Sequence, residues 1–239
     1  MNTANHDDPR ARILNASIEL FSQKGYDATR VSEIAESAEV NKSLIYYYFK
    51  SKEEILDTLL DALMNQLTAL SMDFIENFVV PMIKDGRLDI DGDRFEFVDS
   101  AAAEYFKDHL TTHYERLVDY LLKERSVVRI LMFESLRHGR KHDSSLFRFF
   151  ELLDKNPSNP AYSTIRSADE DFEYSDDTVF FKFFFSLIPL VSIAAYYDEY
   201  KAKSLLSDER MKELTLRSLE MLVKGAQDRY IYVFTAMES

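Results

Sequence analysis

The sequence predicts an all-α protein, and three observations lead to this expectation. The 239-residue chain contains only five glycines and five prolines, so long stretches lack the residues that interrupt helices. Runs of β-branched residues, which favour strands, are few. Apolar residues recur instead every three or four positions, as they do on one face of a helix. The length suits a small domain, predicted over residues 1–52, and a larger helical domain over residues 53–239.

Composition argues against several classes of protein. The sequence has no cysteine, so it holds no disulfide, thiolate nucleophile or cysteine-ligated zinc. The first twelve residues are polar and lack the apolar core of a secretion signal, which together with the absence of cysteine predicts a cytoplasmic protein. Nucleophile elbows, phosphate-binding loops and glycine-rich nucleotide fingerprints are missing from the sequence. We therefore expect a protein that is not an enzyme and that needs no cofactor; the rival, an all-helical enzyme, has no motif in its favour.

Residues 29–52 form the segment whose residue order indicates a mechanism. The first half carries one apolar stripe, formed by Val31, Ile34, Ala35 and Ala38. Thr29 precedes this stripe at the position where a side chain accepts the first free amides of a helix. Residues 39–41 break the period, and Asn41 is suited to cap a second short helix.

The second short helix has one apolar side, with Ile45 and Phe49 at i and i+4. Its opposite side is too polar to be buried and carries Lys42, Ser43, Leu44, Tyr46, Tyr47 and Lys50. Ser51 and Glu54 form a capping box at the start of the next helix. Two short helices joined by a three-residue turn are the helix-turn-helix unit, which predicts DNA binding.

Residues 12–60 resemble the DNA-binding domain of TetR-type repressors. The matching marks are Lys24-Gly25-Tyr26 at the end of the first helix, Thr29, Ile34-Ala35, the run 45–49, and Ser51-Lys52-Glu53. So many marks in one order are far more specific than a bare helix-turn-helix pattern. The family usually has glycine in the turn where this chain has Glu39, and a non-glycine residue at positive φ costs on the order of 1 kcal/mol. Either the turn tolerates that strain or its geometry differs.

The resemblance implies a regulator, most often a repressor, that binds a pseudo-palindromic double-stranded DNA operator as a homodimer and is released by a small lipophilic effector. The alternative is a DNA-anchored helical module controlled by a protein partner. The net charge of −13 at first argues against DNA binding. Residues 1–55, however, hold seven Lys and Arg against nine Asp and Glu, so most of the acidity lies outside the predicted DNA-binding domain.

The second short helix and its flanks supply the predicted DNA contacts. The resemblance implies that Lys52 binds a phosphate and that Tyr46 and Tyr48 flank the DNA backbone, where contacts position the protein without reading sequence. Base edges are expected to face Lys42, Ser43, Leu44 and Tyr47, with Leu44 on a thymine methyl group. The alternative for Leu44 is burial against the first helix. Thr29, at the start of the second helix, completes the set of predicted DNA contacts.

The larger domain is expected to contain a succession of helices. A long helix is predicted from residue 51 until Pro81 stops it, and a surface loop over residues 84–94, whose Asp-Gly turns do not match the register of a calcium-binding loop. Further helices are expected over 95–123, 127–137 and 143–155, and a mobile linker over 156–175. The tail, residues 229–239, has no clear period.

Residues 179–197 are the most apolar segment and are predicted to form the dimer helix. One 239-residue body cannot cover all its large side chains, and exposed apolar patches mark interfaces. The predicted interface residues are Phe181, Phe184, Phe185, Ile188 and Val191. A membrane span is not expected, since Lys182 lies near one end, Pro189 lies mid-way and no basic flank follows.

Aromatic residues ahead of the dimer helix predict an apolar effector site with a few polar groups. The candidate effector residues are Tyr105, His109, His113, Phe133 and Arg137. His109 and His113 are spaced i and i+4, as are His138 and His142, but no third ligand accompanies either pair and no metal is expected. For any single aromatic residue, a place in the core is the competing interpretation.

Overall fold

The structure of the protein, a computed structural model, describes residues 8–91, 94–135, 146, 153 and 155–235. It begins with helices α1 (Pro9–Lys24), α2 (Val31–Ser37), α3 (Lys42–Tyr48) and α4 (Lys52–Phe74). A π-helical turn, π1 (Ile75–Val79), leads into α5 (Val80–Lys84), strands β1 (Leu88–Asp91) and β2 (Arg94–Phe97), and helices α6 (Ser100–Lys123) and α7 (Arg125–Ser135). Then follow α8 (Pro160–Arg166), α9 (Asp176–Phe181), a second π-helical turn π2 (Lys182–Leu187), α10 (Ile188–Ala195), α11 (Tyr197–Ser204) and α12 (Asp208–Thr235). The predicted all-α class is confirmed, with one small hairpin added.

Packing divides the chain into two compact units. The first holds the described residues up to Gln66 together with α7, and the second holds those of 67–123 and of 148–239. This boundary falls inside α4, later in the chain than the one predicted at residues 52 and 53. In the first unit α1 packs against α2, α3 and α7. Its core is apolar, and the side chains of Ile13, Phe21, Ile34, Ile45 and Leu131 are all at most 1% exposed.

Two prolines lie inside helical segments, and each follows a π-helical turn by two residues. The N–H of Val80, just before Pro81, donates to the carbonyl of Ile75, five residues earlier. The N–H of Ile188, just before Pro189, donates in the same way to the carbonyl of Phe183. A proline ring clashes with the carbonyl four residues before it, and the wider π turn relieves that clash. The prediction that Pro81 ends the helix is therefore wrong, since the helical path continues to Lys84.

Residues 84–94, predicted to be a surface loop, contribute one strand of an antiparallel hairpin. Leu88 pairs with Phe97 and Ile90 with Phe95. Leu88 and Ile90 are buried while the aspartates beside them are exposed, which is the period-two alternation of a half-buried strand. The prediction took account of the acidic residues in this segment and missed the apolar residues between them. Because β2 takes residues 95–97, the predicted helix over 95–123 is shortened and begins at Ser100.

Residues 156–175, predicted to be a mobile linker, are instead packed into the second unit. The Asn159 side chain accepts the N–H of Ala161 at 3.0 Å and so caps α8. After α8 the buried rings of Phe172 and Tyr174 pack near that of Tyr162 in the helix, and Tyr174 lies 5.8 Å from Tyr162 and 4.9 Å from Phe172 between ring centroids. The asparagine and proline residues mark a helix start here, and the rings that follow fix the segment.

Several predictions fall outside the described residues. Arg137, His138, His142 and most of the helix predicted over 143–155 belong to this group. The tail is described through Thr235, where α12 ends, so residues 229–235 are helical.

Candidate nucleic-acid interface

Helix α1 ends as predicted, and its end fixes the loop that leads to α2. Gly25 has φ 83°, a value that glycine adopts without steric cost, and its N–H donates to the Phe21 carbonyl at 3.0 Å. Lys24 at the end of α1 pairs with Glu33 of α2 at 2.6 Å. The hydrogen bond from Lys24, with a second from the Arg30 N–H, holds the pKa of Glu33 below its usual value. The two helices are thus joined by side chains as well as by the loop.

Thr29 does not have the role predicted for it. Its hydroxyl donates to the Gly25 carbonyl at 2.8 Å, and the residue is 1% exposed. The residue at the cap of α2 is Arg30, whose N–H donates to the Glu33 carboxylate at 2.7 Å. Both predictions for Thr29, the helix cap and the DNA contact, are therefore wrong. Its hydroxyl bonds the loop before α2, and the buried side chain is not accessible to DNA.

The turn between α2 and α3 keeps its geometry without the expected glycine. Glu39 has φ 53°, in the left-handed region, so of the two possibilities raised by the sequence the turn tolerates the strain. The N–H of Val40 donates to the Ala35 carbonyl at 2.9 Å and closes the turn. Arg12 of α1 donates from Nη1 to the Glu39 carbonyl at 3.4 Å, a long contact between the strained residue and the first helix.

Helix α3 has the two faces that the sequence predicted. Asn41 caps it, since Oδ1 accepts the N–H of Leu44 at 2.8 Å. Ile45 and Phe49 are 1% and 2% exposed and hold the helix on the core. On the opposite side Tyr46 and Tyr47 are 55% and 79% exposed. Lys42 and Ser43 are exposed as well, and Leu44 and Tyr48 are half-buried.

The aromatic and basic groups next to the exposed face are held by their neighbours. The rings of Tyr47 and Tyr48 meet edge to face, 5.1 Å apart at 85°. The guanidinium of Arg10, an exposed residue at the start of α1, lies 5.2 Å from the centre of the Phe49 ring. At the start of α4, Ser51 accepts the N–H of Glu54 at 3.1 Å, as the predicted capping box requires. The Glu54 carboxylate accepts the N–H of Lys50 rather than that of Ser51.

Lys52, the predicted phosphate ligand, makes contacts inside the first unit. Its ammonium donates to the carbonyls of Tyr26 at 2.7 Å and Thr29 at 2.8 Å. The same nitrogen lies 4.1 Å from the centre of the Tyr26 ring, in the geometry of a cation–π contact. Lys52 therefore ties the start of α4 to the loop after α1, a role that the sequence did not suggest. The phosphate contact stays a prediction beside it.

Three of the predicted effector residues lie on successive turns of α6, in the second unit. The His109 ring lies 4.1 Å from the Tyr105 ring and 4.3 Å from the Phe78 ring, and Nδ1 is 2.7 Å from the Tyr105 carbonyl. One turn further, the His113 ring stacks on Phe74 with centroids 4.7 Å apart. Of the other two, Phe133 is 42% exposed on α7 of the first unit, and Arg137 lies outside the described residues.

His113 is neutral at physiological pH. Its pKa is lowered from 6.5 to about 4, chiefly by burial and also by the nearby Arg116 cation, while the Asp73 carboxylate opposes the shift. Arg116 and Asp73 form an ion pair with each other, which holds the pKa of Asp73 below its usual value. Nδ1 of His113 is buried without a hydrogen-bond partner. The imidazole thus offers its neighbours an aromatic face and one unused polar atom.

The predicted dimer residues do not share one face. Phe184 and Phe185 are 46% and 47% exposed, and Phe181 and Ile188 are half-buried. Val191 is 0% exposed and belongs to the core, which corrects the prediction for that residue. The helical turn π2 lies between Phe181 and Val191 and takes more residues per turn than an α-helix, which changes the side chains that share a face. Phe180, which was not among the predicted residues, is 58% exposed and lies 4.7 Å from Phe184 between ring centroids; its signal in the sequence was the i, i+4 spacing.

The helical stretch Asp176–Ala195 is, among the described residues, long and apolar enough by composition to suit a membrane span. Core helices and interface helices of soluble proteins share these properties.

Comparison with known proteins identifies the class of the first unit. Residues 13–59 match the family described as bacterial regulatory proteins, tetR family. The biofilm operon icaADBC HTH-type negative transcriptional regulator IcaR of Staphylococcus aureus is 33% identical over 69 residues, which are 29% of this chain and 33% of that protein. The HTH-type transcriptional regulator YuxN of Bacillus subtilis, described as uncharacterized, is 43% identical over 49 residues, 20% of this chain and 17% of that one. Each match spans a third or less of the relative's length. Residues 13–59 thus match the TetR-type family, as the resemblance of residues 12–60 predicted.

Similarity of fold extends over most of the chain. The transcriptional regulator FadR from Bacillus subtilis, solved in complex with stearoyl-CoA, aligns with a TM-score of 0.55 over 90% of this chain and 98% of that one. The identity is 19%, so the likeness concerns the all-α fold.

Proposed function

We propose that the protein is a transcriptional regulator that binds double-stranded operator DNA as a homodimer and is released by a small lipophilic effector. The observation that supports it most is the division of α3, with Ile45 and Phe49 buried in the core and Lys42, Ser43 and Tyr47 presented to solvent. A two-fold dimer would place two such helices in successive major grooves, about 34–36 Å apart. The operator is then a pseudo-palindrome.

Assembly into a dimer is supported by an exposed cluster of phenylalanines. This phenylalanine patch consists of Phe180, Phe181, Phe184 and Phe185, whose rings contact one another; those of Phe181 and Phe185, for instance, stack 5.7 Å apart. An apolar cluster of this kind is costly in water and is typical of obligate interfaces.

Control by an effector is supported by the chemistry of α6. Tyr105, His109 and His113 combine aromatic surface with imidazole nitrogens, a set that suits a lipophilic ligand with one or two polar anchors. FadR of Bacillus subtilis was solved with stearoyl-CoA, and acyl-CoA thioesters are therefore the first probes to use. Phe133, on α7 of the first unit, stays a separate candidate from the sequence, and Arg137 lies outside the described residues. The coupling required is about 1–3 kcal/mol between the DNA-binding and ligand-binding equilibria.

DNA binding is tested by selecting ligands from a random double-stranded pool with the purified protein. We expect enrichment of a pseudo-palindrome and a complex with two chains per duplex. The variant Tyr47→Ala removes an exposed side chain of α3 without touching the core, and it should bind the enriched sequence more weakly than wild type. Failure of the wild-type chain to enrich any sequence would contradict the proposal.

Effector control is tested by fluorescence anisotropy of the operator complex. Medium- and long-chain acyl-CoA should release the DNA, free coenzyme A should not, and His113→Ala or Phe133→Ala should weaken the response while leaving binding to DNA unchanged. If no ligand of this class, no free fatty acid and no other lipophilic compound altered the affinity for DNA, control by a protein partner would replace control by a small molecule.

A further inference from the structure

The exposed face of α3 carries an unusual selection of chemical groups for reading DNA. Residues 42–48 contain no arginine, asparagine or glutamine. The one amide next to the helix, that of Asn41, is already used, since its Oδ1 accepts the Leu44 N–H at 2.8 Å. Recognition of adenine commonly uses a bidentate amide, and that of guanine most often a guanidinium. Helix α3 offers neither group, and Lys42 is its one cation.

What α3 does offer is apolar and aromatic surface. Tyr47 is 79% exposed, the largest exposed fraction among its tyrosines, and its ring is oriented by the edge-to-face contact with Tyr48. Leu44 lies three residues earlier, so the two side chains are neighbours on the helix surface. Leu44 is half-buried and still reaches solvent, although Ile45 and Phe49 already occupy the core side of the helix. Leu44 and Tyr47 together give α3 an apolar and aromatic surface, with Lys42 near the start of the same helix.

We propose that the protein selects its operator largely through the C5-methyl groups of thymines, which Leu44 and the Tyr47 ring contact in the major groove. Thymine is the base that presents a methyl group there, so an apolar reading surface discriminates it from cytosine and from the purines. Lys42 adds a guanine contact at the amino end of the helix. This inference rests on the proposed function, because it specifies how the same helix reads its operator.

The test uses the operator enriched from the random pool and replaces its thymines one at a time with deoxyuridine. This change removes the methyl group and keeps every hydrogen-bonding group of the base pair. At one or more thymines in each half-site the affinity should fall about fourfold, which corresponds to about 0.8 kcal/mol for one buried methyl group. Deoxyuridine outside the enriched positions is the matched DNA control and should have no effect.

Protein variants assign the effect to the two side chains. Leu44→Ala and Tyr47→Ala should each abolish the penalty at a particular thymine, so that thymine and deoxyuridine operators bind that variant equally. Tyr47→Phe keeps the ring and should keep the penalty, which separates a ring contact from one made by the hydroxyl. Tyr200→Ala removes an exposed tyrosine on α11, in the second unit, and should behave as wild type.

The outcomes separate this inference from the proposal on which it rests. If a pseudo-palindrome is enriched but no deoxyuridine substitution weakens binding, sequence-specific binding stands and methyl recognition is overturned. If the penalty persists unchanged in both Leu44→Ala and Tyr47→Ala, methyl recognition by these residues is overturned too. If no sequence is enriched at all, both the function and the inference fail.

Discussion

Replacement of Lys52 by methionine tests the internal role that the structure gives to this residue. Methionine keeps most of the apolar stem and removes the ammonium, which donates to the carbonyls of Tyr26 and Thr29 and lies 4.1 Å from the Tyr26 ring centre. Hydrogen bonds to charged groups contribute about 1.5–3 kcal/mol each, and an exposed cation–π contact about 0.5–1 kcal/mol. Because Lys52 is half-buried, water can solvate part of what is lost, and we expect the free energy of unfolding to fall by about 2–3 kcal/mol in total.

The matched control is Lys50→Met, which removes the same charge from an exposed side chain two residues earlier. Urea denaturation followed by circular dichroism should show the lower midpoint for Lys52→Met, with similar dependence on denaturant in both variants. Amide hydrogen exchange should quicken in the loop between α1 and α2 of the Lys52 variant. If the two variants unfold with free energies within about 0.5 kcal/mol of each other, the range typical of surface substitutions, the internal role would be refuted.

Three further predictions concern pH, backbone strain and assembly. His113 has a pKa of about 4 in the folded protein against an ordinary 6.5. Its contribution to the free energy of unfolding is therefore complete above about pH 6.5 and is lost as the pH falls towards 4, by at most about 3 kcal/mol. The variant His113→Phe, which keeps a ring on Phe74, should remove this pH dependence from the denaturation profile. Glu39→Gly should raise the free energy of unfolding by about 0.5–1 kcal/mol in urea denaturation, since glycine adopts φ 53° without strain. Phe184→Asp should yield monomers in analytical ultracentrifugation and lose affinity for the palindrome, because it places a charge in the phenylalanine patch.

Each of these has a control and a result that would contradict it. For His113, equal pH profiles of wild type and variant would show that burial does not depress its pKa. For Glu39, the control is Glu36→Gly, which removes an exposed glutamate from within α2 and should destabilise; a loss of stability at both positions would contradict relief of strain. For Phe184, the control is Val98→Asp, at a residue that is 66% exposed before α6, and a dimeric Phe184 variant would rule out the patch as the interface.

The first unit was predictable from sequence where its structure depends on local contacts. Asn41 caps the amide three residues later, and Gly25 ends a helix, so both signals lie within a few positions of their effect. Lys52 was not predictable in the same way, because its carbonyl partners lie 26 and 23 residues away. Thr29 was misassigned since a threonine before a helix serves equally as a cap or as a donor to the preceding loop, and tertiary packing decides between them.

In the second unit, composition misled where packing overrides it. Asn159 and Pro160 look like linker residues, yet they begin a helix because the rings of Tyr162, Phe172 and Tyr174 bury the segment that follows. Val191 was placed on the dimer face with the other large apolar residues of 179–197, because one body could not cover them all. No sequence pattern predicted the π turn that separates it from the exposed phenylalanines, although Pro189 was a sign that the helix is not regular.

The π turn also bears on how this helix can change in evolution. A π turn holds one residue more than the α-helical turn it replaces, so removal of one residue from Lys182–Leu187 would leave a regular α-helix whose faces before and after the turn keep close to their present alignment. The same deletion in a regular α-helical part would rotate everything after it by about 100°. The turn is therefore the place where this helix can change in length while the exposed phenylalanines and the buried Val191 keep their relative positions.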